Sequence, residues 1–444
     1  MKNFLCYSLI INLILNMSVS EASIKIHTYV TKNNVKVFYV VSPSIPMIDI
    51  QIMFDAGSSK DGNYNGLSSM THIMLDEGTS KHTNEEINYV FESTGSIFNA
   101  SSSKDKSKIS LRSLVDEEFL NPSIKMLKDI LSKASFPSEA LKLHKERSMA
   151  FIEESSKDPA EIAINTFYQS LYNKHPYANP TEGTKKSVGK ITRNQLIDFY
   201  KKNLTRENAI IAIVSPFDLP DIKKITDDIS SSMNSYADEK KTNKHKSNLL
   251  DAAEQKHIYK KFPSSQAHIY IGQLGIKRGD KRNLPLYIAN YIFGGSGFNS
   301  RLMNEVRVKR GFAYSVYSYF YPLQDLGPFF IGVETKADQA NDVTQLINNM
   351  IKEYIEEGPT KKEVDYAKNA IINGFPLKLD SNADILSYIS MIGYYDLPED
   401  YLTTFIHNIS EVTHKDIVDA MNSVLKPEKL LTVVVGNEKS KIKK

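Results

Sequence analysis

Gly66 to Thr79 reads GLSSMTHIMLDEGT and places His72 four residues before a carboxylate, Asp76. Side chains four apart on a helix share a face, and two donors so placed can grip one metal ion. A metal site built from His72 with Asp76 or a glutamate is therefore one reading of the stretch. The plainer reading takes Leu67, Met70 and Met74 as a core stripe at i, i+3 and i+7, and leaves His72 a partly buried or surface histidine. The chain's ten histidines include no pair four apart, which favours the plainer reading.

A second chemical candidate is EVRVKRGFAYSVYS, with Arg307 and Tyr314 seven residues apart. Arginine offers a rigid, permanently charged fork of donors. A tyrosine hydroxyl can donate to a carbonyl or to a developing oxyanion. The competing expectation is a structural salt bridge for Arg307 and core packing for Tyr314. Ser300–Lys309 reads as a helix with Gly311 as its C-terminal cap. Ala313–Ser318 alternates as a strand, with Tyr314, Val316 and Ser318 on one face and Tyr317 on the other, as Tyr319 would be next. The nearby cluster Gly294-Gly295-Ser296-Gly297 lacks both the lysine and the spacing of phosphate-binding loops. It reads as a flexible turn that lies along a cleft.

The elements that carry these residues repeat. Ile191–Val214 and Val412–Val435 align at a constant offset of 221 residues, matching Thr192 with Thr413, Leu204 with Leu425 and Glu207 with Glu428. Each copy reads as a threonine cap, a helix, a polar break and a buried strand. Ile48, Ile50, Ile52 and Phe54 alternate as a strand with one buried face, and Ala267–Ile271 repeats the pattern. Helices are expected at Gly66–Asp76 and Leu284–Phe293, with further strands at Val35–Val41, Lys108–Leu114 and Phe329–Thr335. The charged run Tyr236–Asn248 separates the copies.

The resulting expectation is an α+β protein of two homologous α/β domains, each an antiparallel sheet with helices packed on it, closing as a clamshell over a peptide-sized cleft. The divisions are a signal peptide at 1–22, a first domain at 23–235, a charged linker at 236–252 and a second domain at 253–444. Lys2, the apolar run Phe4–Met17 and Ser20-Glu21-Ala22 have the layout of an export signal. The only cysteine, Cys6, lies within it, so the processed chain would depend on core burial alone for stability. With 55 Lys and Arg against 52 Asp and Glu, the charge gives no case for nucleic-acid binding, and no other stretch suits a membrane span once the signal is removed.

The frame of the first helix resembles G-L-x-H-x-x-E-H-x-x-x-x-G-T of the insulinase/pitrilysin (inverzincin) metallopeptidases. Here the two histidine positions are Ser69 and Ile73, and the glutamate position is His72. Glu146 and Glu153 resemble the downstream glutamates, one of which completes the zinc site in active members. HPYANPTEGT and FGGSGFNSRLMNEVRVKRGFAYSVYS also resemble the family. Leu75-Asp76-Glu77-Gly78-Thr79 is similar to the segment found in bacterial partner chains that keep the fold without the zinc motif. The resemblance implies that Arg307 and Tyr314 contact bound peptide. It further implies that this chain holds no metal and catalyses nothing by itself, and that a zinc-bearing partner chain completes a periplasmic heterodimer that degrades peptides. The alternatives are a scaffold or binding protein of the same fold, and a self-sufficient peptidase with an unusual metal site.

Overall fold

The computed structural model describes residues 24–236 and 256–442. The expected signal peptide and all of the expected linker except Tyr236 lie outside these residues. The first half builds a six-stranded sheet from β1 (His27–Val30), β2 (Lys36–Val41), β3 (Met47–Phe54), β4 (Ile97–Ser102), β5 (Ser107–Leu114) and β6 (Ala209–Ser215), in the order β1-β2-β6-β3-β5-β4. The second half builds five strands, β7 (Lys256–Lys261), β8 (Gln266–Leu274), β9 (Ala313–Phe320), β10 (Pro328–Lys336) and β11 (Leu431–Gly436), in the order β7-β11-β8-β10-β9. Setting β1 aside, the two orders are the same, as a duplicated plan requires. The sheets are mixed: β2 pairs with β6, and β7 with β11, in parallel, while the other pairings are antiparallel.

Local signals account for much of this. The helices Arg193–Asn203 and His414–Val424 both begin at threonine caps, whose hydroxyls accept from the Gln195 and Asp416 amides. Each helix leads into the buried closing strand of its half, β6 or β11. The expected helix at Leu284–Phe293 divides into an α-helix, Asn283–Asn290, and a π-helical turn, Tyr291–Gly295.

Burial on β3 departs from the one-sided expectation. Asp49 and Met53, on the supposedly open face, are buried like Ile48, Ile50 and Ile52. The cause is an exchange of helices. Asn382–Tyr394, from the second half, packs on β2, β3 and β6 of the first sheet. Pro159–Tyr172, from the first half, packs on β8 and β11 of the second. The two are counterparts in the repeat, so each half covers the open face of the other. The contacts are close. A Cβ on Gly393 would lie 2.6 Å from the Phe38 ring, and one on Gly272 would lie 2.9 Å from the Phe167 ring. Phe38, Val40, Ala212 and Val214 consequently share one core with the second half.

Candidate functional site

The helix that carries the metal-motif positions runs from Leu67 to Ile73, shorter than expected at its C-terminal end. Gly66 starts it at φ 93°, a left-handed conformation suited to glycine. The Asp61 carboxylate pins this end, accepting from the Gly66 amide at 2.7 Å and the Ser68 amide at 2.8 Å. Leu67, Met70 and Met74 are buried, as the core stripe predicts.

His72 departs from the expectation of a partly buried or surface residue, being only 1% exposed. Its Nδ1 donates to the Ser68 carbonyl at 2.7 Å, while its buried Nε2 has no partner among the described residues. Burial pushes its pKa down to about 4, so the ring is neutral at pH 7. The helix is enclosed around most of its circumference: Leu67, Ser68, Met70, Thr71 and His72 are all buried, and only Ser69 and Ile73, the latter 39% exposed, face outward.

These positions do not fit a zinc ion. Ile73 carries no donor atom, and Ser69 is half-buried beside it on the helix. Glu146 is exposed to solvent, and Glu153 is ion-paired with Lys185 at 2.6 Å. His72 points into the core rather than toward these groups. Among the described residues, no group of three or more His, Cys, Asp or Glu side chains is placed to hold a metal ion. The LDEGT segment has a packing role instead: Glu77 is bonded to His144 at 2.6 Å and so ties this helix to Ser138–Ser155.

Arg307 and Tyr314 do come together. Met303–Val308 is a π-helical turn, a wider winding that recurs at functional positions. It ends where the Gly311 amide, at φ 63°, donates to the Arg307 carbonyl at 2.9 Å. The Arg307 guanidinium lies 4.7 Å from the Tyr314 ring centre and 4.8 Å from that of Phe298. Both rings are open to solvent, Tyr314 at 78% and Phe298 at 63%. Neither a core tyrosine nor a structural salt bridge describes this pair.

Tyr314 does not share the buried face of Val316 and Ser318, because a β-bulge intervenes. Pairing with β10 steps from Ser315↔Glu334 to Ala313↔Thr335, leaving Tyr314 as the extra residue. The sequence reading also missed Phe298, whose only local signal is its place after the glycine cluster. Within that cluster Gly294 is tightly enclosed by β9: a Cβ there would lie 2.3 Å from Ser318 Oγ and 2.8 Å from the Ser318 backbone nitrogen.

Two concave surfaces accompany these residues. A groove of about 490 Å³ runs along β3, β4 and β5 beneath the helix Asn382–Tyr394. A chamber of about 730 Å³ lies between the halves, walled by Lys104, Tyr168, Glu182, Arg278, Tyr388 and Tyr395 among others.

Known proteins share this architecture. The family model described as insulinase (peptidase family M16) matches residues 36–185, and the one described as the peptidase M16 inactive domain matches 190–371. A crystal structure described as the peptidase M16 inactive domain from Pseudomonas fluorescens has a TM-score of 0.87 and 33% identity, covering 95% of this chain and 99% of that one. A Helicobacter pylori protein named non-peptidase homolog YmxG is 26% identical over 94% of this chain and 96% of its own length. The crystal structure of a protease from Helicobacter pylori, at 17% identity, has a TM-score of 0.84 over 93% of this chain and 99% of that chain, a likeness of fold. With both models matched and 33% identity sustained over nearly its whole length, the chain belongs to the insulinase, or M16, peptidase family.

Proposed function

We propose that this chain is the non-catalytic, peptide-binding subunit of an exported two-chain zinc peptidase. The observation that carries the reading is the Arg307 guanidinium held between two solvent-open rings, Tyr314 and Phe298, on and beside β9. A cation and two aromatics left open to water form a binding surface rather than a packing contact. Strands β9 and β4 are both sheet edges, whose free backbone groups can pair with an extended peptide. The first helix supplies no metal donor at Ile73, so the zinc and the general base fall to a partner chain. The sequence at 1–22 supports export to the periplasm.

Two measurements test this. Elemental analysis of the processed chain, purified alone, is expected to find essentially no zinc; one zinc per chain that disappears with His72→Ala would restore the self-sufficient peptidase. In the assembled two-chain enzyme, Arg307→Ala is expected to lower peptide turnover while the complex stays intact. Unchanged turnover would overturn the role given to Arg307 and favour a scaffold.

A further inference from the structure

The chamber between the halves is lined by more positive than negative side chains. Lys104, Lys106 and Arg278 line it, against one lining carboxylate, Glu182. Lys106 Nζ lies 5.1 Å from the Tyr395 ring centre, and the Arg278 guanidinium lies 5.4 Å from the same ring. One tyrosine thus supports two cations contributed by opposite halves. Among the described residues, neither cation has a carboxylate within salt-bridge distance, and the buried Arg278 Nε has no hydrogen-bond partner.

The buried acid next to Lys106 in sequence is already engaged. Asp105 accepts from the Tyr395 hydroxyl at 3.0 Å, from the Gln324 amide at 2.7 Å and from the Tyr177 hydroxyl. Lys104 donates to the Tyr177 and Asn179 carbonyls at 2.9 and 3.0 Å. Burial first, and then the like charge of Arg278, outweigh the attraction of Asp105 and push the Lys106 pKa down to about 8. Two crowded cations with unused donors are a receptor for an anion, and a guanidinium suits a planar carboxylate.

The chamber also connects with the groove under β4. Ser102, Ser103, Lys106 and Ser387 line both. A peptide laid along that edge strand would bring its side chains to Lys106.

We propose that Lys106 and Arg278 form a carboxylate receptor, selecting peptides that carry an acidic side chain where the groove opens into the chamber. This rests on the peptide-binding reading above and adds a substrate class to it.

The test is calorimetric titration of the full processed chain at low ionic strength. The ligands are a decapeptide containing two glutamates and its glutamine twin, both amidated at the C-terminus. Phosphate-dependent thermal shifts are measured in parallel. The glutamate peptide should bind about 10- to 100-fold more tightly than its twin. Arg278→Gln and Lys106→Gln should each reduce that preference, chiefly by weakening binding of the glutamate peptide. Arg278→Lys, which keeps the charge but loses the fork, provides a second variant should Arg278→Gln fold poorly.

Equal binding of the two peptides would overturn the receptor and leave the peptide-binding reading standing. If neither peptide binds, while phosphate raises Tm in the wild type and not in Arg278→Gln, the receptor takes a small anion and the peptide assignment is overturned. Absence of all three responses would overturn both readings.

Discussion

Arg307 and Tyr314 are joined face to cation, with the guanidinium 4.7 Å from the tyrosine ring centre and the ring 78% exposed. Two features of the second half produce the contact. The π-helical turn Met303–Val308 carries the arginine, and the bulge on β9 turns the tyrosine out of the buried face. A regular strand would have aimed Tyr314 with Val316 and Ser318 into the core.

Arg307→Ala is therefore expected to leave folding nearly unchanged. Exposed cation–π contacts are worth about 0.5–1 kcal/mol, so urea unfolding should move little. Affinity for an extended peptide should fall about 10-fold, as for the loss of one charged donor. Tyr314→Phe, which keeps the ring and removes the hydroxyl, separates stacking from hydrogen bonding in the same titration.

His72 makes stability depend on pH in a defined direction. Its folded pKa is depressed from 6.5 to about 4, so the unfolded chain takes up a proton that the folded chain refuses. The His72 contribution is fully present above pH 6.5 and is lost as pH falls toward 4. The loss amounts to about 3 kcal/mol. His72→Phe removes the titration and the unpartnered Nε2 together, and its counterpart at the repeat offset is Phe293. The stability of the variant relative to wild type should rise as pH falls from 7 to about 4, measured by urea unfolding; a difference independent of pH would contradict the buried, neutral ring.

The exchanged helices make Gly393 intolerant of a side chain. Valine there meets the Phe38 ring, since even a Cβ would lie 2.6 Å away. Overpacking of this kind costs about 1–3 kcal/mol. Gly393→Val should lower Tm, and expression of either half alone should give insoluble protein, because each sheet loses the helix that covers it. Two soluble, independently folded halves would contradict the exchange.

Arg301 braces the turn that carries Arg307. It makes a two-pronged pair with Glu363, both contacts at 2.7 Å, and stacks 4.7 Å from the Tyr354 ring centre. Burial opposes the charge on Glu363, but the Arg301 and Thr360 hydrogen bonds outweigh it and push the carboxyl down to about 2. The pair thus stabilises the fold above pH 4.5 and loses that contribution as pH falls toward 2. Glu363→Gln is expected to cost about 1–2 kcal/mol at pH 7, allowing for partial screening by water, with the difference from wild type narrowing below pH 4.

The sequence by itself determined the duplication, because helix caps, strand alternation and the repeat offset are local signals that each segment carries independently of its surroundings. It also determined that a metal ligand is missing at Ile73, since a hydrocarbon side chain has no donor in any fold. The tertiary structure alone decided which faces are covered. The second face of β3 is buried by Asn382–Tyr394, a helix from the far half whose own periodicity does not name its partner. The burial of His72 belongs here as well: helical spacing marks Leu67, Met70 and Met74 as one core-facing stripe but does not show that packing covers a second side of the same helix. Phe298, the outward turn of Tyr314, and the meeting of Lys106 with Arg278 over Tyr395 likewise arise from a bulge and from contacts between distant segments. Those are properties of packed surfaces, and a one-dimensional pattern of residues does not contain them.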